Sequence, residues 1–135
     1  FENRVYDGVM EMLENLKRSG IRILMATSKP EKYAIRIAEH FGFGRYFEFI
    51  GGACMDGTRT AKHEVIEHVL KACGIPENER DNTGMIGDRR HDILGAKKSG
   101  IHSIGVLYGY GSKEELTAAG AEETAALPSD ITGLF

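Results

Sequence analysis

The feature that most constrains this chain is a regular alternation. Short aliphatic runs, each closed by a turn signal, are separated by longer stretches with helical apolar spacing. Val9, Met10, Leu13 and Leu16 recur at three- and four-residue steps, which predicts an amphipathic helix over residues 6–18, ended by Ser19-Gly20. Residues 21–26 are aliphatic and bounded by turn residues, so they read as a buried strand. Pro30 opens a helix over 30–41 with Ala34, Ile37, Ala38 and Phe41 facing inward. Residues 47–50 form a second strand, followed by Gly51-Gly52. A helix over 61–73 carries Val65, Ile66, Val69 and Leu70 and stops at Gly74. Residues 84–87 read as a strand short enough to need burial by its neighbours, 92–99 as a helix and 103–107 as a strand. Ser112 and Glu115 make a capping box for a helix to residue 119. The tail, 121–135, reads as an edge strand and a short closing helix with Pro128 between them.

Strands joined by crossover helices imply a doubly wound α/β fold, a parallel sheet with helices on both faces. With 135 residues the chain fits one domain or a large piece of one. Ligands of such sheets gather at the carboxyl ends of the strands. The residues to weigh are therefore those just after Ala26, Ile50, Ile86 and Leu107.

The strongest of these places is Met85-Ile86-Gly87-Asp88-Arg89-Arg90-His91-Asp92-Ile93-Leu94-Gly95-Ala96. An apolar strand delivers Asp88 to the crevice, and Asp92 follows in the first turn of the next helix. Two carboxylates there suit a hard cation such as Mg²⁺, which takes oxygen ligands; they equally suit capping of the helix N-terminus. A second place is Thr27-Ser28-Lys29-Pro30, where a hydroxyl at a strand tip, followed at once by a helix N-terminus, offers donors to a phosphate. Ser and Thr also cap helices with no ligand at all. The third is Lys62, at the start of a helix, where the helix dipole disfavours a cation. Such a lysine faces solvent, or an anion or carboxylate waits for it.

In the order hydroxyl, lysine, paired aspartates, these places resemble motifs II, III and IV of the haloacid dehalogenase (HAD) phosphatases, over nearly the whole chain. The wording around them, with Gly105-Val106-Leu107-Tyr108-Gly109-Tyr110-Gly111, is similar to the phosphoglycolate phosphatase branch. The resemblance implies that Thr27 and Ser28 bind the transferring phosphoryl group and that Lys62 neutralises its charge. It implies that Asp88 ligates Mg²⁺ and that Asp92 supports the metal directly or through water. His63 stands where the family commonly has proline after its lysine.

The resembling enzymes also need Asp-x-Asp at the tip of their first strand, one aspartate as nucleophile and the next as general acid and base. No Asp-x-Asp occurs here, and Met55-Asp56-Gly57-Thr58 lacks both the apolar strand and the earlier aspartate. In the family the strand that carries the nucleophile is central, so a sheet without it leaves unpaired backbone groups on both flanking strands. The chain starts with Phe1, near where a helical cap domain returns to the core in that family. The expectation is a partial HAD-like core, 1–135, without the nucleophile strand and cap.

Composition narrows the rest. A formal charge of −3 with scattered Lys and Arg gives no stripe for nucleic acid or an anionic membrane. Cys54 and Cys73 lack partner spacing and read as reduced cytoplasmic thiols. No apolar run reaches membrane-spanning length. His63, His68, His91 and His102 fit no ligand spacing, Gly109-Tyr110-Gly111 reads as a turn, and Arg89 and Arg90 carry no assigned role.

The functional expectation is a Mg²⁺-dependent phosphatase of a small phosphorylated metabolite, phosphoglycolate first and a nucleoside monophosphate next. The chain alone is expected to be inactive. The alternatives are a phosphomutase and a non-catalytic interaction module on the same fold.

Overall fold

The computed structural model describes residues 8–54 and 56–135, without the side chain of Thr132. Six helices and five strands alternate: α1 (Val9–Arg18), β1 (Leu24–Pro30), α2 (Glu31–Phe41), β2 (Phe49–Ala53), α3 (Lys62–Ala72), β3 (Gly84–Gly87), α4 (Arg90–Ser99), β4 (His102–Val106), α5 (Lys113–Ala119), β5 (Glu123–Ala125) and α6 (Pro128–Thr132). The predicted beginning of α1, Tyr6 and Asp7, lies outside the described residues. Two 3-10 turns, Gly44–Tyr46 and Glu77–Asn82, were not legible in the sequence.

Every strand pair is parallel, but the strands form two separate sheets, β1-β2 and β3-β4-β5. β1 and β3 each have one edge without a strand partner among the described residues. A cavity of about 1080 Å³ lies between these edges, lined by Leu24, Met25 and Ala26 on one side and Gly84, Met85 and Ile86 on the other. The expectation of unpaired edges flanking a central gap is met by this division.

Helices hold the halves together from both faces. On one, Ile66 and Leu70 of α3 pack with Ala96 of α4 and Ile101, reaching Ala26 of β1 and Met85 of β3. On the other, Met12, Leu13 and Leu16 of α1 meet Ile104, Val106, Ala125 and Ile131, with Ile86 packed against them. Met85 and Ile86 thus serve opposite faces, as strand alternation requires.

Two strands depart from the sequence reading. β1 starts three residues later than predicted and runs on to Pro30, which pairs with Ala53 after a register shift beyond Ala26. β2 includes Gly51 and Gly52, which read as a stop. A side chain on Gly52 would stand 2.5 Å from the Lys29 carbonyl oxygen, and one on Gly51 would collide with Val69. Close approach of neighbouring elements, not a turn, explains these glycines.

Candidate active site

Lys62 is the first residue of α3, and its position follows from what it reaches. Its ammonium lies 2.8 Å from Asp92 Oδ1 on α4 and donates to the carbonyl of Ala26 in β1 at 3.1 Å. The lysine and aspartate side chains are 9% and 7% exposed. A buried ion pair persists only when further hydrogen bonds satisfy both charges. Here Asp92 Oδ2 also accepts the N–H groups of Asp88 at 3.2 Å and Arg89 at 3.3 Å. A continuous polar relay therefore crosses the cleft from Ala26 of β1, through α3 and α4, to the loop after β3.

Glycines make the approach possible. A Cβ on Gly87 would stand 2.6 Å from Asp92 Oδ2, and one on Gly95 would stand 2.9 Å from Lys62 Cγ. The glycine ahead of Asp88 thus admits the Asp92 carboxylate to the strand end.

Asp88 leaves β3 half-buried. Its Oδ2 accepts the Tyr110 N–H at 3.1 Å, and its other oxygen has no hydrogen-bond partner among the described residues. The two aspartates therefore differ: Asp92 is fully engaged, while Asp88 retains an available carboxylate oxygen. No three His, Cys, Asp or Glu side chains converge on one point among the described residues. Nearby, burial first and the Asp88 charge second push the Tyr108 phenol up to about 12, so it stays neutral.

Thr27 follows the Ala26 carbonyl that Lys62 engages. Its Oγ1 accepts the Lys29 N–H at 3.2 Å, leaving the hydroxyl proton to donate. The sequence reading put a helix N-terminus directly after this hydroxyl. The strand instead continues to Pro30 and α2 begins at Glu31, so the helix's free N–H groups lie farther along the chain. Ser28 is exposed.

Asp56, His68, His102 and Glu115 have partners of their own. Asp56 accepts both the N–H and the hydroxyl of Thr58, and these bonds hold its carboxyl below the usual range. Met55, beside it, lies outside the described residues. His68 lies 3.5 Å from Glu31 Oε1, and His102 contacts Glu122 Oε2 at 2.6 Å and the Asp81 carbonyl at 2.8 Å. Cys54 and Cys73 are free, half-buried thiols. Glu115, read only as part of a helix cap, sends its carboxylate to Arg89 Nε at 3.0 Å and the Arg90 N–H at 2.9 Å. Partners 25 residues apart leave no local sequence signal.

The parallel α/β frame agrees with what comparison with known proteins finds. The model of the haloacid dehalogenase-like hydrolases matches residues 1–100, and the chain belongs to that family. Among curated relatives, a 5'-nucleotidase of Pseudomonas aeruginosa is 49% identical over 118 residues, 87% of this chain and 52% of its own length. Tyrosine-protein kinase PtkA of Mycobacterium tuberculosis is 43% identical over 110 residues, 81% of this chain and 36% of that protein. Phosphoglycolate phosphatase 1 of P. aeruginosa is 32% identical over 126 residues, 93% of this chain and 44% of that protein. The crystal structure of a predicted phosphatase from Clostridium acetobutylicum superposes with a TM-score of 0.92 at 40% identity, covering 99% of this chain and 61% of that one. The chain thus spans about half the length of the first of these curated relatives. Among the described residues, no helix is long and apolar enough to cross a membrane.

Proposed function

We propose that this chain is the phosphate- and metal-handling core of a Mg²⁺-dependent phosphomonoesterase for a small phosphorylated metabolite. The observation that carries this reading is the contrast between the two aspartates. Asp92 is committed to the Lys62 ammonium and the loop amides, whereas Asp88, at the strand tip, keeps one carboxylate oxygen available. A hard oxygen donor of that kind fits Mg²⁺, which holds few protein carboxylates and keeps several waters. The bound ion would supply charge stabilisation on the phosphoryl oxygens.

In this reading Asp88 ligates the ion, and Asp92 acts on it only by holding the Asp88 backbone and Lys62. Lys62 places positive charge beside Ala26 of β1, next to Thr27, where an equatorial phosphoryl oxygen would meet it. The Thr27 hydroxyl, with Ser28 beyond it, donates to another oxygen of the same group. The nucleophilic aspartate required by the family resemblance would ride on a strand lying between β1 and β3. Two parallel edges and an apolar cavity suit a strand there.

A nucleoside 5'-monophosphate comes before phosphoglycolate as substrate, because the nucleotidase relative is 49% identical and the phosphoglycolate phosphatase 32%. The likeness to a tyrosine kinase fits the same core: a phosphoryl group held between an ammonium and a cation can pass to water or to another hydroxyl. The free thiols suit a reducing compartment such as the cytoplasm.

The test is an assay of the intact gene product with AMP, UMP, phosphoglycolate and an aryl phosphate, with and without Mg²⁺. Turnover should require Mg²⁺, and Asp88→Asn or Lys62→Ala should each lower kcat by about 10²- to 10³-fold. Residues 1–135 alone should give no turnover. Absence of Mg²⁺-dependent turnover in the intact protein would favour a non-catalytic module. Turnover by residues 1–135 that disappears in Asp88→Ala would refute the strand argument.

A further inference from the structure

Beyond the residues already given roles, one segment closes over Asp88 from the far side of the site. After β4 the chain turns back so that the Gly111 N–H donates to the Asp88 carbonyl at 2.8 Å and the Tyr110 N–H to its carboxylate at 3.1 Å. The fit leaves no room for side chains. A Cβ on Gly109 would stand 2.6 Å from Asp88 Oδ2, and one on Gly111 would collide with the Asp88 carbonyl oxygen. The same segment then enters α5, where the Ser112 hydroxyl accepts the Glu115 N–H at 3.0 Å and fixes the first turn. From that turn Glu115 Oε2 reaches back to the Arg90 N–H and to Arg89 Nε.

In an ordinary capping box the glutamate returns to the cap residue's own N–H. Here its carboxylate is spent on the loop that carries Asp88. That loop is thus gripped from two sides, by Asp92 through the N–H groups of Asp88 and Arg89, and by residues 109–115 through the Asp88 carbonyl, its carboxylate and the Arg90 N–H.

We infer that Glu115 is a positioning residue for the metal site, acting with Gly109 and Gly111 as a clamp that fixes the direction of the Asp88 carboxylate. Glu115 touches neither ion nor substrate. It sets the path of residues 89–90 and hence the angle at which Asp88 leaves β3. The inference rests on the proposal that Asp88 binds Mg²⁺. Partners that orient a metal ligand are worth about 10- to 100-fold in affinity or activity when removed.

The experiment measures Mg²⁺ binding by calorimetry, together with the Mg²⁺ dependence of kcat, in the intact gene product and its Glu115→Ala, Glu115→Gln and Gly109→Ala variants. Glu115→Ala should raise the Mg²⁺ concentration for half-maximal activity, and the calorimetric Kd, by about 10-fold or more. At saturating Mg²⁺ most of kcat should return. Glu115→Gln, which keeps an oxygen for the Arg90 N–H, should recover much of the loss. Gly109→Ala should be at least as damaging as Glu115→Ala.

A merely structural glutamate would lower the thermal midpoint and leave the Mg²⁺ dependence of the folded protein unchanged; that result overturns the inference. If Glu115→Ala does not fold, the comparison of Glu115→Gln with Gly109→Ala decides, and normal Mg²⁺ affinity in both overturns it. If the unmodified protein binds no Mg²⁺, the metal reading itself fails and takes the clamp with it. Normal binding in the unmodified protein with unaltered variants removes the clamp alone.

Discussion

β4 and β1 contain similar aliphatic residues, yet β4 is buried from Ser103 to Val106 while no residue of β1 is buried. The difference lies in their edges. β4 has a strand on either side, and β1 has β2 on one side and the cavity on the other. β3, also open along one edge, shows the intermediate case, with only Gly87 buried. Apolar composition alone therefore does not bury β1 or β3 beside the cavity, whereas β2, also with one strand neighbour, buries Gly51, Gly52 and Ala53. The proposed chemistry lies along this open seam, with Thr27 of β1 on one side and Asp88, just after β3, on the other, while the best-covered core lies elsewhere.

The strongest way to probe the seam is to cut the buried Lys62–Asp92 link between α3 and α4. Asp92→Ala leaves the Lys62 ammonium without its carboxylate, and removing one partner of a buried pair costs about 3–5 kcal/mol. Urea denaturation should show that loss, and the double variant Lys62→Met/Asp92→Leu should regain most of it. Equal losses in the single and double variants would mean that the pair does not bridge the halves. A smaller effect separates the strands themselves. Ile104→Ala in β4 should cost about 2–5 kcal/mol, as for large-to-small changes in a packed core. Met25→Ala, beside the cavity in β1, should cost about 1 kcal/mol, because its side chain loses less buried area. Similar values for both would break the contrast.

The smallest effect comes from pH, because each half carries one charged pair near the amino ends of its strands. In the β1-β2 half, Arg22 holds Glu48, chiefly by a side-chain hydrogen bond, and lowers its carboxyl below the ordinary 4.5. That contribution is complete above 4.5 and is lost as pH falls through the lower folded value. In the other half, the Glu122 carboxylate and then the Asp81 carbonyl raise the His102 imidazole above its ordinary 6.5. That contribution is complete below 6.5 and disappears as pH climbs through the raised folded value. Hydrogen exchange should therefore loosen β1-β2 first in acid and β4-β5 first as pH climbs through the raised His102 value. His102→Gln should abolish only the second trend. Both pairs are exposed, so the shifts in midpoint should be small.

The sequence carried the alternation, the parallel class and the limits of β3, because an apolar run between glycines is a local signal. It also marked Lys62 as oddly placed for its helix, facing either solvent or an anion or carboxylate. Which carboxylate was not legible: Asp92 lies on another helix, and nothing local to Lys62 names it. The same holds for Glu115, whose hydroxyl cap was read correctly while its carboxylate crosses to Arg89 and Arg90. β1 and β2 were cut short because Pro30 and Gly51-Gly52 look like punctuation. Their pairing and close contacts exist only once α2 and α3 have packed.

The relay has a further consequence for Lys62. An ammonium has three N–H donors in tetrahedral array, and the carboxylate on α4 and the carbonyl of β1 engage two of them. One donor remains, its bearing set by the other two. The residue therefore works as a fixed pointer rather than a swinging tether. In the proposed function, with Asp92 already offsetting its charge, an incoming oxyanion would feel little pull from afar and a directed contact at close range. Arginine could not take its place, since a flat guanidinium cannot serve a carboxylate, a strand carbonyl and a third acceptor along those same three axes.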